Sequence, residues 1–440
     1  MLYTNKDLRK LIVPLIFEQL LAILVGMVDT VMIAGVGEAA VSGVSLVDTI
    51  NILIINITAA LATGGAVVAG HFLGQKDSAH ASKSAWQLVL FSIWLSVIVT
   101  IIFMAAHKPL LGAVFGQVEA EVMESATTYL VITAVSICPL AIYNSCAALF
   151  RAMNDSRTTM LIAIVMNLIN LVGNAILIYG VKIGVAGAAI ATTVSRVAAA
   201  AIILYLMFHS EKNINFRGQA TWKMDFALVK KILYIGIPNG LENSLFQLGK
   251  ILLLSLISTF GTYAIAANAV CNTLACFNVL PGQAINLALL SVASICIGAG
   301  DYEQARYYTK KLMWIIISFT AVLSLVMIAF APWIMKIYQL TPQTESLAVT
   351  ILRWHAILAI FFWAPSFSLP NTLRAAGDVI WSMVIAIASM WIFRIGFAYI
   401  FSFYYNGGLL GVWIAMTIDW GFRGICYGLR YHGHKWERLV

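Results

Sequence analysis

Asp29 stands in GMVDTVMIAG, residues 26–35, among neighbours that are almost all small or apolar. An ionisable group in such a stretch is expensive, roughly 2.5 to 3.5 kcal/mol at the centre of a membrane helix on insertion scales, so it needs a reason. Farther on, NLINLVGN carries Asn167, Asn170 and Asn174 at i, i+3 and i+7, spacings that set three amides on one helix face. The segment GAAIATTVS adds Thr192, Thr193 and Ser195 after small residues that let helices approach closely. Where these faces meet Asp29, one carboxylate is enclosed by neutral oxygens. Hard cations prefer oxygen ligands, and one carboxylate balances one positive charge better than two, which favours sodium over magnesium or calcium. A proton fits as well, because a carboxylate out of bulk water takes one up more readily. The plainer alternative is that the amides and hydroxyls only hold helices together.

Glu18 and Glu242 each follow a proline by four residues, and both are candidates for bonding backbone groups freed near it. Glu242 also shares its helix with Asn239, Asn243, Gln247 and Lys250. A cavity there would attract a cationic substrate, with Lys250 as the partner of the carboxylate when the site is empty. Arg394 and Asp419 are expected to form a structural ion pair, since breaking a buried pair usually costs about 3 to 5 kcal/mol. Arg196, Arg353 and Arg423 lie nearer helix ends, where snorkelling to the interface is the cheaper explanation. Among the aromatic residues Phe17, Tyr143, Phe246 and Trp363 are candidates to line a cavity and hold organic cations by stacking and cation–π contact. No GxSxG, HExxH or phosphate-binding glycine loop occurs, so neither an enzyme nor a cofactor is expected. The six cysteines contain no CxxC pair, and His432 and His434 in YHGHKWE read as a solvated tail rather than a metal site.

The elements that must carry these residues follow from composition. Of the 440 residues 61% are hydrophobic and only 10% charged, against about 25% charged in a soluble domain. Mean hydropathy is +0.90. Apolar stretches of about 20 residues, enough for a helix to cross a bilayer, recur along the whole chain. Turn signals and hydropathy predict twelve spans at 8–34, 42–72, 84–106, 127–150, 158–180, 185–208, 228–259, 263–297, 310–332, 346–373, 379–404 and 408–429. The first is too long for the hydrophobic region of a signal peptide and is expected to be retained. Twelve crossings put both termini on one face. That face carries nineteen Lys and Arg, against Lys108, Lys182 and Lys336 on the other. The bias predicts a multi-pass protein of the cell membrane with both termini cytoplasmic. It also accounts for the net charge of +8 without a nucleic-acid partner.

The most charged connection, residues 209–226, divides the chain almost equally. A shift of 224 aligns VPLIFEQ (13–19) with IPNGLEN (237–243), FLGQKDSAHA (72–81) with CIGAGDYEQA (296–305), and GVAGAAIATT (184–193) with GLLGVWIAMT (408–417). A shift of 223 aligns LFRAMND (149–155) with TLRAAGD (372–378). Four matches in order predict a duplication: an N-terminal six-helix lobe at 1–208, a cytoplasmic linker at 209–226 and a C-terminal six-helix lobe at 227–440. The expected fold is all-α, twelve transmembrane helices in two pseudo-symmetric lobes. Six crossings per half give both repeats the same orientation, an arrangement common in secondary transporters, which place sites near repeat interfaces.

The RAMND and RAAGD repeats, the GVAGAAIAT segment and MVDTVM in the first span resemble the multidrug and toxic compound extrusion (MATE) transporters, across essentially the whole chain. The resemblance implies two six-helix lobes forming a V and export of organic cations coupled to inward movement of sodium or protons. It implies that Asp29, the helix-five pair Asn170 and Asn174, and Thr192 form the cation-coupling site and would hold sodium, and that Glu242 is the helix-seven glutamate used in part of the family. Gln247, Lys250 and Tyr143 join Glu242 as substrate candidates. Two departures stand out. Asn174 replaces an acid found in many relatives, leaving Asp29 as the only charge in its site, and the tenth span has no acid before Asp378. The expected function is an antiporter, acting as a monomer in the lipid bilayer, that expels amphipathic, mostly cationic compounds by alternating access. The alternative of the same architecture is a flippase for lipid-linked oligosaccharide precursors, which would call for a cavity rich in Arg and Lys.

Overall fold

The computed structural model describes residues 2–116 and 119–438. Among the described residues there is no strand. The helices are α1 (Asn5–Ala34), α2 (Glu38–Gly74), α3 (Ser78–Phe115), α4 in two arms (Ala120–Ala134 and Ile137–Ala152), α5 (Ser156–Gly180), α6 (Gly184–His209), α7 (Phe226–Ser258), α8 (Thr262–Gly298), α9 (Tyr302–Ile337), α10 (Pro342–Ala375), α11 (Val379–Tyr404) and α12 (Gly408–His432). All are apolar and long enough to cross a membrane once the arms of α4, bent by 52°, are taken as one span.

Short polar loops start these helices by side-chain capping, which supplies acceptors to N–H groups that lack an intrahelical partner. Thr4 and Asp7 form a reciprocal capping box on α1. Asp77, Asp155 and Asp301 accept from the backbone N–H of His80 (3.0 Å), Thr158 (3.2 Å) and Gln304 (2.9 Å) to open α3, α5 and α9. Asp77 and Asp301 are 224 residues apart, so this recurring loop residue begins a helix in each half.

The bend in α4 frees backbone carbonyls inside an apolar layer, where each must find a donor. Thr100 on α3 donates to Ala134 O (3.1 Å) and Thr193 on α6 to Ile132 O (3.2 Å). Arg196 donates to the Ser136 hydroxyl at 2.8 Å. Thr193 is thus a helix fastener, and Arg196 is drawn inward to the bend instead of snorkelling.

Contacts divide the chain into two units, Tyr3–Gly240 and Leu241 onward, so the division falls inside α7. Packing explains the position. Gly64 on α2 lies so near α7 that a Cβ there would stand 2.4 Å from Ile232 O. The linker leading into α7 is docked on α3: Trp86 Nε1 donates to Thr221 O (2.8 Å), Gln87 Nε2 to Lys223 O (3.0 Å), and Lys83 pairs with Asp225 at 2.6 Å. In each unit one long helix is the most enclosed, α2 in the first and α8 in the second.

Two helices end in underwound π segments, Ala175–Gly180 in α5 and Ile400–Tyr404 in α11, and α11 has a further one at Met390–Gly396. The C-terminal segment departs from the expected solvated tail. Lys435–Arg438 forms a single 3₁₀ turn, Trp436 is fully buried and stacks on Tyr431 at 5.4 Å, and Glu437 accepts from Arg306 and pairs with His434. An indole that can bury its rings against Tyr431 folds the tail back.

Candidate functional site

In the unit Tyr3–Gly240, a cavity of about 260 Å³ opens among α1, α2, α4, α5 and α6. The helical spacing that sets Asn167, Asn170 and Asn174 on one face of α5 brings all three to its wall, together with Asp29 of α1. Asn174 Nδ2 donates to Asp29 Oδ1 at 2.9 Å. The Asn170 amide is best satisfied with its nitrogen 2.9 Å from both Asp29 oxygens and its oxygen accepting from the Thr192 hydroxyl at 3.1 Å. The structure therefore brings Asp29, Asn170, Asn174 and Thr192 into one connected group. Asn174 is 1% exposed, and its Oδ1 has no hydrogen-bond partner. A buried acceptor left unsatisfied costs about 1 to 3 kcal/mol.

The cavity holds more charge than expected. Asp48 on α2 and Arg196 on α6 line it alongside Asp29, as does Tyr129 on α4. Asp29 is thus not the only charge at the site, because helix α2 turns its own carboxylate to the same space. Asn51, one turn on, reaches Asp48 at 3.4 Å. The signal is present in the sequence: Asp48 sits in SLVDTINIL, well inside the second apolar span, and repeats the VDT of residues 28–30.

The glutamates behave differently from Asp29. Glu18 accepts from the Thr159 hydroxyl at 2.9 Å and lies 3.5 Å from Arg151. It ties α1 to α4 and α5 rather than bonding backbone near Pro14. In the other unit Glu242 receives Arg374 at 2.6 Å and Arg423 at 3.6 Å. The two glutamates are 224 residues apart, and Arg151 and Arg374 are 223 apart, so each half carries a Glu–Arg tie. Glu242 is not paired with Lys250. Two turns of one helix separate them, whereas α10 and α12 deliver guanidiniums directly to the carboxylate. Arg423, 2% exposed and stacked over Phe367 at 4.9 Å, does not snorkel. Arg353 is exposed.

Arg394 and Asp419 stand 3.7 Å apart, and Ser389 donates to the Asp419 carboxylate. Lys250 and Arg394 both lie over the Phe246 ring, at 5.1 and 5.0 Å. Gln247, on the same helix, is half-buried, and Tyr143 is buried within the first unit. Trp363 is a core residue, stacked on Phe367 at 5.2 Å and packed against Gly282, rather than part of a cavity wall. Phe17 is exposed.

The MatE family model matches this chain twice, over residues 14–176 and 238–400, with both ends offset by 224 (238 − 14 and 400 − 176). The chain is similar to the probable multidrug resistance protein NorM of Thermotoga maritima, 26% identical over 438 residues that span 99% of this chain and 93% of that protein. It is similar to the uncharacterized transporter YisQ of Bacillus subtilis, 26% identical over 429 residues that span 96% and 93%. Among solved structures it resembles an outward-facing multidrug resistance MATE family transporter of the MOP superfamily, with a TM-score of 0.91, 22% identity and coverage of 98% and 95%. That likeness establishes a shared fold.

Proposed function

We propose, since this chain belongs to the MatE family of multi-span membrane transporters, that it exports amphipathic organic cations in exchange for sodium ions or protons, with Asp29 as the coupling carboxylate. It is a transporter and not an enzyme. The single observation that carries the reading is the hydrogen-bonded group of Asp29, Asn170, Asn174 and Thr192 on the wall of one cavity. An amide can present either end. In this structure both amides offer N–H to the carboxylate. When a cation arrives they can turn, and the oxygens of Asn170, Asn174 and Thr192 complete its shell while the N–H groups are released. A proton on Asp29 would be accommodated by the same rotation, since a protonated carboxyl donates to an amide oxygen.

Inward movement of one positive charge supplies about 2.3 kcal/mol per 100 mV, and a concentration gradient adds to it. That energy would bias an alternating-access cycle toward release of substrate outside. The chain is expected to act as a monomer in the cell membrane with both termini cytoplasmic.

The test is dye efflux from cells expressing wild type or Asp29→Asn, with sodium and proton gradients imposed separately. One gradient is expected to drive wild-type efflux, and the variant is expected to lose that response while reaching the membrane in normal amounts. A variant that responds like wild type would remove Asp29 from the coupling mechanism.

A further inference from the structure

A second cavity, about 290 Å³, lies in the unit from Leu241 onward, in the place that the duplication makes equivalent to the Asp29 cavity. Nine of its eleven lining positions stand 224 residues after positions that line the first. The chemistry at those positions is inverted. Where the first cavity has Asp29 and Asp48, the second has Leu253 and Asn272, and where the first has Gly26 and Asn170, the second has Lys250 and Arg394.

No carboxylate lines this second cavity. Lys250 makes no salt bridge among the described residues, and it lies, as Arg394 does, over the ring of Phe246. Arg394 is 8% exposed and its Nε has no hydrogen-bond partner. Asp419, fully buried, does not line the cavity and approaches Arg394 no closer than 3.7 Å. Two cations on one ring repel each other, and one carboxylate at that distance balances only one of them. Asn268 accepts from the Trp413 indole at 3.1 Å, which occupies its oxygen and leaves its two N–H donors for the cavity. Donors without acceptors, and positive charge without its counter-charge, are what an oxyanion requires. A guanidinium offers it paired N–H bonds and an ammonium offers a point charge.

We propose that this cavity is an anion site, which takes the carboxylate or phosphate oxygens of an amphipathic molecule. The inference adds a substrate class to the transporter reading, on which it rests, while needing neither Asp29 nor a cationic substrate. The duplication has thus produced one cavity suited to a cation and one suited to an anion.

The experiment is equilibrium binding of radiolabelled benzoate to the full chain in phosphatidylcholine nanodiscs, with neutral benzamide as competitor. Saturable benzoate binding that benzamide does not displace is expected, weakened at least about tenfold by Lys250→Gln, a change that breaks no salt bridge. Replacing the lipid with phosphatidylglycerol separates the sources. Loss of benzoate binding would identify a lipid headgroup as the occupant, and unchanged binding a free organic anion. Absent binding, equal binding by Lys250→Gln, or equal displacement by benzamide would overturn the proposal. Asp29→Asn is expected to bind benzoate as wild type does, so a failure of ion-driven efflux and a failure of anion binding can be told apart.

Discussion

Glu242→Gln keeps the size of a buried side chain and removes its charge, leaving two arginines without their carboxylate. Arg423 is 2% exposed, its Nε and Nη1 have no hydrogen-bond partner, and Glu242 is its carboxylate within ion-pair distance among the described residues. Removing one partner of a buried ion pair costs about 3 to 5 kcal/mol, because the other charge stays out of water. The unit from Leu241 onward has 200 residues (440 − 240). At about 2.1 cal/mol/K per residue its unfolding entropy is about 0.42 kcal/mol/K, so the loss lowers Tm by roughly 7 to 12 °C. Thermal unfolding of the detergent-solubilised protein, followed by size-exclusion fluorescence, measures this. Glu242→Gln combined with Arg423→Leu is expected to recover part of the loss, since it also takes away the orphaned charge. A Tm within about 2 °C of wild type, well under the shift expected from a broken buried pair, together with lost efflux of a cationic dye, would refute the tie and return Glu242 to the substrate path.

Three further perturbations address other parts of the molecule. Asp48→Asn removes one of two carboxylates from the Asp29 cavity and leaves Arg196 there, so the coupling-ion concentration for half-maximal efflux is expected to rise about tenfold; an unchanged value would exclude Asp48 from the ion's field. Gly64→Ala would force a methyl against Ile232 O, and overpacking of this kind costs about 1 to 3 kcal/mol, so a lowered Tm is expected and an unchanged one would mean that α2 and α7 separate at no cost. Lys83 and the backbone N–H of Leu228 hold the Asp225 carboxyl below the usual carboxylate range. A depressed value means that linker docking is fully stabilised above the ordinary carboxylate range and weakens as pH falls through the lowered one. Protection of the amides in residues 219–225, taken as exchange relative to the intrinsic rate at each pH, is therefore expected to fall in strong acid, and Asp225→Asn should show the low protection already at neutral pH; high protection in that variant would count against the Lys83 pair as the anchor.

The helices and half of the site are legible in the sequence. Asn170 and Asn174 stand out because a helix converts spacing into a face, and Asp29 because a carboxylate in an apolar run has few cheap explanations. Asp48 obeys the same rule, with Ser45 and Asn51 one turn to either side of it, but local spacing does not say that α2 turns this face toward Asp29 of α1. The partners of Glu242 are out of reach for a different reason. Arg374 and Arg423 lie more than a hundred residues away on two other helices, and the same-helix neighbour Lys250 is the candidate that local spacing offers. Arg196 and Arg423 mislead because depth near a helix end says where a side chain can go, whereas a hydroxyl at a neighbour's bend, or a buried glutamate, decides where it goes.

The π segments that close α5 and α11 have a consequence in time. Ile176 and Ile400 are matching positions of the duplication, and from each of them to the end of its helix the backbone is underwound in both halves. On the simplest history, an irregularity present at the same point in both copies was in the ancestor before it doubled, when the unit was a six-helix protein that had to meet a second copy of itself. The charges in the two cavities differ at matching positions, so at least one half has changed them since. On that history the underwound ends were kept in both halves, whereas the polarity of at least one cavity is younger than the duplication.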